Sequence, residues 1–417
     1  MPQPVTTPPT TPLPINTANP AYQAIFRRYI VTGLRQTLTD LGGESFTLAE
    51  SQRQQIWHLL SYGLALDESW PHVRALLLTL APKMEQAGFR QDWLSYLARG
   101  LDQARSLEDR RAEAELNLQV GYLHLRLRQL DQARNHLSIA QEIFTQLDDL
   151  VGRCAAMNRL AATARYGGDL AQARALLTHT LAVLPEGTAE WGYSHFGAGL
   201  LYRELLDLDV ARQHFEQSLV ISIRLGSRRQ TGLCILNLGI IHFDQKAYAR
   251  AADRALAAGF IFEEIGDLHN LASAHMNAGI AYGQLDRLDQ TLTLYAKAEA
   301  IFHRLHDSVS LAMIHCNQGI AYRQLQRSAE AIQSFQAGIV LWDQVGNLKR
   351  RINLVSGLGK AQMDLAQFDA AIATLTTGLA ELEAAGPDGA VDNEYLRLTD
   401  VMRRDIALAR LGERSLD

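Results

Sequence analysis

Three asparagines recur at one position of a repeating pattern. Asn237, Asn277 and Asn317 are 40 residues apart, and each lies two residues before a glycine. A side-chain amide donates and accepts hydrogen bonds, so a row of amides can pair with the backbone of an extended peptide. Asn is a poor helix former, so its recurrence in a helical pattern needs a cause. The alternative cause is that each amide bonds a neighbouring helix and holds the structure together.

Histidines and arginines flank the asparagine position. His195, His275 and His315 lie four residues before the small residue of their repeats, and Arg203 and Arg323 lie four residues after it. Together with the asparagines they predict a binding groove of mixed polar and charged character. We interpret the histidines first as packing or solvated residues of that groove, with ligand contact as the alternative.

The sequence contains no pattern typical of catalysis or of a bound cofactor. HExxH, GxSxG, GxGxxG and CxxC are all absent. His303 and His306, one turn apart, stand beside Asp307 and could in principle bind a metal ion. They fall where a helix is predicted to end, so we expect polar loop residues there. The sequence therefore predicts a protein that is not an enzyme and holds no metal or cofactor.

A repeat of about 40 residues positions these side chains. One small residue of the first helix, here called the anchor, recurs at spacings of 38 or 40 residues. The seven anchors are Gly121, Ala161, Gly199, Gly239, Gly279, Gly319 and Gly359. Twelve residues after the anchor comes a second small residue, alanine in six repeats and Thr291 in the other. Two small residues so placed predict a pair of antiparallel helices that pack closely in each repeat.

The ends of the second helices are marked by residues that suit turns and caps. Glycines expected to adopt the left-handed conformation stand at Gly226, Gly266, Gly346 and Gly386. The residues expected to cap the next first helix are Asp267, Asp307 and Asn347.

Composition divides the chain into four parts. Residues 1–20 hold seven of the eleven prolines and predict a disordered tail. Residues 21–110 predict an N-terminal helical region that merges into the array, and residues 111–388 the seven repeats. Residues 389–417 predict a C-terminal capping helix, whose charged face, including Arg397, keeps the last repeat soluble.

Bulk composition narrows the class of partner. The formal net charge of −5 argues against a general nucleic-acid binder, which would carry a basic excess. No stretch of apolar residues is long enough to span a membrane.

Cys154, Cys234 and Cys316 are odd in number and far apart, which predicts buried thiols in a reducing compartment. The N-terminus also lacks a secretory signal, so we expect a cytoplasmic protein.

The anchors and the helix-pair pattern resemble those of the tetratricopeptide-repeat superfamily, in the 40-residue variety of kinesin light chains and bacterial Rap-type regulators. The resemblance implies an all-α fold, a right-handed α-solenoid of tandem helix pairs. In kinesin light chains an asparagine at this position lines the concave groove and contacts bound peptide, a role that the resemblance implies for Asn237, Asn277 and Asn317. The N-terminal segment, with Trp57, Trp70 and Trp93, looks like the entry to the sensor arrays of STAND-type signal-transducing ATPases.

We therefore expect a non-enzymatic scaffold that binds a peptide or a partner protein in the concave groove of the solenoid. The alternative is a ligand-sensing regulatory module, detached from such an ATPase or from a transcriptional regulator, whose groove closes around a small-molecule effector.

Overall fold

The computed structural model describes residues 20–41, 50–86, 90–387 and 392–414, and over these ranges the protein is all-α. This confirms the predicted fold class. The expected tail lies outside the described residues, apart from Pro20, which begins the first helix. In the described ranges no helix is both long and apolar enough to cross a membrane.

Four helices precede the repeats. They are α1 (Pro20–Asp40), α2 (Glu50–Gly63), α3 (Trp70–Gln86) and α4 (Arg90–Ser106). They bury an aromatic cluster in which Trp57 meets Trp93 and Tyr96 edge to face, with ring centroids 6.5 and 5.9 Å apart.

Seven helix pairs follow, one for each anchor. The pairs are α5 (Arg110–Arg126) with α6 (Leu130–Gln146), α7 (Leu150–Tyr166) with α8 (Leu170–Val183), α9 (Ala189–Glu204) with α10 (Leu208–Arg224), α11 (Arg228–Asp244) with α12 (Tyr248–Glu264), α13 (Leu268–Gly283) with α14 (Leu288–Arg304), α15 (Ser308–Gln324) with α16 (Ser328–Val345), and α17 (Leu348–Asp364) with α18 (Phe368–Ala385). A final helix, α19 (Asn393–Arg410), packs on the last pair, where Leu398 and Met402 are fully buried.

The array divides into two compact units. Unit 1 comprises the described residues up to Asn237 together with Ile261–Asp267, and unit 2 comprises Leu238–Phe260 together with Leu268 onward.

At five of the six glycine anchors the second helix of the same repeat leaves no room for a Cβ atom. A Cβ atom added to Gly279 would lie 2.6 Å from the Tyr295 ring, and one added to Gly319 would lie 2.6 Å from the Phe335 ring. Both distances are far shorter than a carbon–carbon contact of about 3.5–4.0 Å. Close helix packing at the anchors is therefore a property of the structure, as the sequence pattern predicts.

The turn inside each repeat uses one left-handed residue, seven positions after the anchor. Only one of the seven is a glycine; the full set is Arg128, Gly168, Leu206, Lys246, Asp286, Gln326 and Ala366. Between repeats, the predicted glycines do adopt positive φ angles, for example +67° at Gly226 and +75° at Gly346. Two of the predicted caps also form, since the side chains of Asp307 and Asn347 accept hydrogen bonds from the backbone N–H groups of Ser310 and Arg350.

Ion pairs connect successive first helices near their N-terminal ends. A basic side chain ten residues before the anchor contacts an acidic residue just before the next helix of this series. The pairs are Arg111–Asp149 (3.1 Å), Arg229–Asp267 (2.8 Å), His269–Asp307 (3.2 Å) and Lys349–Asp392 (2.5 Å), the last reaching the cap of α19. Asp149, Asp307 and Asp392 therefore each cap a helix and also join it to its predecessor.

Candidate functional site

The asparagine column divides between the two units. In unit 1, Asn237 is buried, and its Nδ2 donates a 2.8 Å hydrogen bond to the Leu233 carbonyl oxygen one turn earlier in the same helix. In unit 2, Asn277 and Asn317 are only half-buried. Neither of these amides has a hydrogen-bond partner among the described residues. The donors and acceptors of Asn277 and Asn317 are thus available to a ligand, whereas the donor of Asn237 is used locally.

The histidine column is largely engaged in packing. The Nδ1 atom of His195 lies 2.8 Å from Nδ1 of His214 on the paired helix, and the His195 ring meets Trp191 edge to face. Burial is the larger cause and the nearby His214 the smaller cause of a lowered pKa of about 4 at His195. This ring is therefore neutral at physiological pH. In unit 2, His275 is half-buried, and Nδ1 of His315 is 3.0 Å from Oε1 of Gln318.

Arg323 forms a two-point ion pair with the following repeat. Its Nε and Nη2 donate to the carboxylate of Asp364 at 2.7 and 3.3 Å. The equivalent pairing in unit 1 joins Arg165 to Glu204, again from the C-terminal end of one first helix to that of the next. Arg203, also in unit 1, is half-buried. Arg323, which the sequence predicts to line the groove, therefore also connects two consecutive repeats.

A cavity of about 710 Å³ lies in unit 2, and Cys316, the residue before Asn317 in the chain, is part of its lining. Helices α15, α16, α17 and α19 surround it, and Ile320, Phe335 and Val401 form apolar parts of its wall. Its cationic lining residues are Arg323, Lys360, Arg397 and Arg414. A volume of this size is within the roughly 300–1,000 Å³ of typical ligand pockets.

The remaining polar groups of the cavity show what chemistry it can support. Burial raises the pKa of the Cys316 thiol to about 11, so the thiol is protonated at neutral pH and is a poor nucleophile. Among the described residues, no three His, Cys, Asp or Glu side chains cluster closely enough to hold a metal ion. What the lining offers is hydrogen-bond donors, positive charge and an apolar wall, which suit binding.

The repeat pattern alone does not reveal this cavity, because part of its lining comes from outside the repeats. Arg397 and Val401 belong to α19, and Arg414 follows it. The sequence predicts Arg397 as part of a solubilising face. In the structure its Nη2 donates a 3.0 Å hydrogen bond to Oδ1 of Asn353 while the side chain lines the cavity.

Unit 1 contains a second polar cluster that sequence analysis missed. The carboxylate of Glu85, at the end of α3, is almost fully buried and contacts Arg126 at 2.9 Å and Arg229 at 3.3 Å. Burial opposes the charge on Arg229, but the nearby Tyr122, Asp267 and Glu85 outweigh it and raise the pKa of Arg229. Glu85 and Arg229 are 144 residues apart, so no local pattern could have paired them.

Comparison with known proteins agrees with this architecture. Residues 270–339 match the Tetratricopeptide repeat family. The fold is that of a tetratricopeptide-repeat array. No curated protein is significantly similar to the chain in sequence.

Solved structures share the tetratricopeptide-repeat fold at low sequence identity. A signal-transduction ATPase with numerous domains (STAND) from Pyrococcus horikoshii, which has a tetratricopeptide-repeat sensor, aligns with a TM-score of 0.60 at 14% identity, over 83% of this chain and 52% of that one. A Rap protein complexed with competence and sporulation factor gives 0.53 at 13%, over 81% and 98%. Aspartyl phosphate phosphatase F from Bacillus subtilis gives 0.51 at 12%, over 93% and 96%.

Proposed function

We propose that this chain is a non-enzymatic binding scaffold that holds a peptide, or an extended segment of a partner protein, against the first helices of unit 2. The observation that carries the proposal is that Asn277 and Asn317 hold open, half-buried amides at the same position of two consecutive repeats. A cavity of about 710 Å³ is lined partly by Cys316 and Ile320, which belong to the same helix as Asn317. Stacked helical repeats present extended binding surfaces, which agrees with this role.

The chemistry of the asparagines fits an extended peptide. Each amide can donate to a backbone carbonyl and accept from a backbone N–H group. Because Asn277 and Asn317 occupy the same position in consecutive repeats, they offer this pairing twice along the array. The half-buried His275 and His315 and the ion-paired Arg323 lie in the same two repeats and complete the proposed groove. In unit 1, we propose His195, Arg203 and Asn237 as groove residues of that unit, where His195 and Asn237 are also engaged within the protein.

We propose a cytoplasmic location and a protein or peptide partner, as the sequence predicts. The three cysteines are free thiols, which agrees with a reducing, cytoplasmic location. The net charge of −5 favours a protein or peptide partner over nucleic acid.

A ligand-sensing regulatory module is the second candidate. It is favoured by the cavity volume, which also suits a small molecule, and by the similarity in fold to the STAND protein with its repeat sensor. A Rap protein of similar fold is complexed with competence and sporulation factor, which supports a binding role for an array of this fold.

Peptide selection tests the main proposal. A displayed library of random peptides is selected on the immobilised full chain, and the best peptides are synthesised for titration calorimetry. The double variant N277A/N317A should weaken binding roughly 5- to 150-fold, because each lost hydrogen bond is worth about 0.5–1.5 kcal/mol. Its melting temperature should stay equal or rise slightly, since Ala favours helix more than Asn does.

A matched control separates the groove from general effects of substitution. Asn135 and Gln290 are exposed on second helices, so N135A/Q290A should leave affinity unchanged. Full affinity in a well-folded N277A/N317A variant would refute the role of the asparagines. Earlier melting of that variant would instead mean that the amides hold helices together.

A further inference from the structure

The cavity of unit 2 has a local excess of positive charge. Its lining holds four cations, Arg323, Lys360, Arg397 and Arg414, against one carboxylate, Asp364, which leaves 4 − 1 = +3. The whole chain has a formal net charge of −5. The cavity therefore differs in sign from the protein as a whole.

Neighbouring carboxylates do not cancel this excess. Asp364 is already bonded to Arg323. Asp405, fully buried on α19, lies 3.9 Å from Lys360 but also 3.3 Å from Arg404. Counting Asp405 and Arg404 together adds one charge of each sign and leaves the excess at +3.

Two of the cations are open to a ligand. Arg397 and Arg414 are exposed, and among the described residues no carboxylate lies within ion-pair distance of either. Arg397 donates only to the neutral Asn353 amide. Arginine is well suited to this task because its guanidinium can hold a carboxylate with two parallel hydrogen bonds.

We propose that the cavity binds an acidic peptide segment, whose carboxylates pair with Arg397 and Arg414 while an apolar side chain packs against Ile320 and Val401. This inference rests on the proposed peptide-binding function and specifies the class of peptide. The apolar wall favours a peptide, since it offers a side chain a surface that a bare oxyanion could not use. Helix α19 would then be part of the binding site as well as a cover for the last repeat.

Library selection with two charge variants tests the proposal. The random library is selected on the wild-type chain and on R397Q/R414Q, which removes two exposed charges without touching a buried group. The matched control K297Q/R304Q removes two exposed charges from α14, away from the cavity. Peptides selected on the wild type and on the control should be enriched in Asp and Glu, and those selected on R397Q/R414Q should not.

Titration of a selected acidic peptide gives the quantitative outcome. Affinity should fall at least tenfold for R397Q/R414Q, and also for a peptide with Gln in place of Glu, but less than twofold for the control variant. Raising NaCl from about 50 to 300 mM should weaken binding of the acidic peptide, because exposed charges are screened by salt.

Three results would overturn the proposal. Peptides without acidic enrichment that need Asn277 and Asn317 would show that the array binds peptides but not by this chemistry. Equal binding of the Glu and Gln peptides, with full displacement by millimolar inorganic phosphate, would assign the charge to a small oxyanion. Failure to select any peptide would refute the peptide-binding function itself, which is a distinguishable result.

Discussion

At the scale of single residues, the anchors show how one missing side chain determines helix packing. Gly279 lies so close to the Tyr295 ring that there is no space for a Cβ atom. Across the same interface, the Thr291 hydroxyl donates a 3.1 Å hydrogen bond to the Gly279 carbonyl oxygen. Glycine inside a helix costs up to about 1 kcal/mol relative to Ala. The recurrence of Gly at this position means that close packing outweighs that cost.

Two glycine substitutions should therefore change stability in opposite directions. G279A should lower the free energy of unfolding by about 1–3 kcal/mol, because the new methyl group collides with Tyr295. G259A should raise it by up to about 1 kcal/mol, since Gly259 lies inside α12 and its added Cβ would meet Ala274 at 3.6 Å, an ordinary contact. Thermal or chemical unfolding of both variants measures this. Equal destabilisation by the two would mean that the anchor column is wrongly assigned.

Residue type and spacing were enough to predict the anchors because steric demands act at one fixed position per repeat. They were not enough to predict which asparagines are open. Asn237 occupies the same repeat position as Asn277 and Asn317, but it is buried and its amide bonds the Leu233 carbonyl in its own helix. Side-chain orientation depends on neighbours that a repeat pattern does not specify.

At the scale of helices, the acidic caps join one repeat to the next. The carboxylate of Asp307 accepts from Ser310 at the start of α15 and contacts His269 of α13 at 3.2 Å. Burial raises the pKa of Asp307, but the hydrogen bonds that it accepts from His269 and Ser310 lower the pKa by more. The resulting pKa is about 2. The charged form of this carboxyl is therefore stabilised by the folded state.

This lowered pKa predicts a specific acid response. The contribution of Asp307, about 2 kcal/mol, is fully present above its unfolded pKa of about 4 and is lost as the pH falls through about 2. D307N should keep the helix cap but lose the charge, so its acid unfolding limb should be flatter than that of the wild type. D131N, at an exposed site on α6, should reproduce the wild-type curve. Superimposable pH–stability curves for D307N and the wild type would contradict this assignment.

Helix boundaries were predictable where glycines or caps mark them, and much less so inside the repeats. The left-handed residue seven positions after the anchor includes Leu206, Lys246 and Gln326, which share no property that favours this conformation. The turn imposes the conformation because two helices must reverse direction in few residues. Such positions can be found from the fold but not from residue preference.

At the scale of the whole molecule, the order of the helices was predictable because each repeat packs mainly on its neighbours. The cavity and the Glu85 cluster were not, since both depend on groups that come together outside the 40-residue pattern. Arg397 reaches the cavity from α19, and Glu85 reaches Arg229 from α3. Features that combine repeats with non-repeating segments cannot be predicted from the repeat pattern alone.

The contact between Glu85 and Arg229 has a consequence for how unit 1 folds. Most contacts in an array connect residues within about one or two repeats, which gives low contact order and rapid folding. The Glu85 carboxylate instead closes a loop of 144 residues, so its contacts with Arg229 should form late, after the folding transition state.

E85Q should accelerate unfolding roughly 5- to 150-fold, from a loss of about 1–3 kcal/mol, and leave the refolding rate unchanged. E204Q, which breaks a pair between adjacent repeats, should have a smaller effect on the unfolding rate. Stopped-flow kinetics distinguishes the two variants, and slower refolding of E85Q would show that the loop closes early. On this view, one carboxylate governs how long the N-terminal unit stays folded and has no part in how fast it folds.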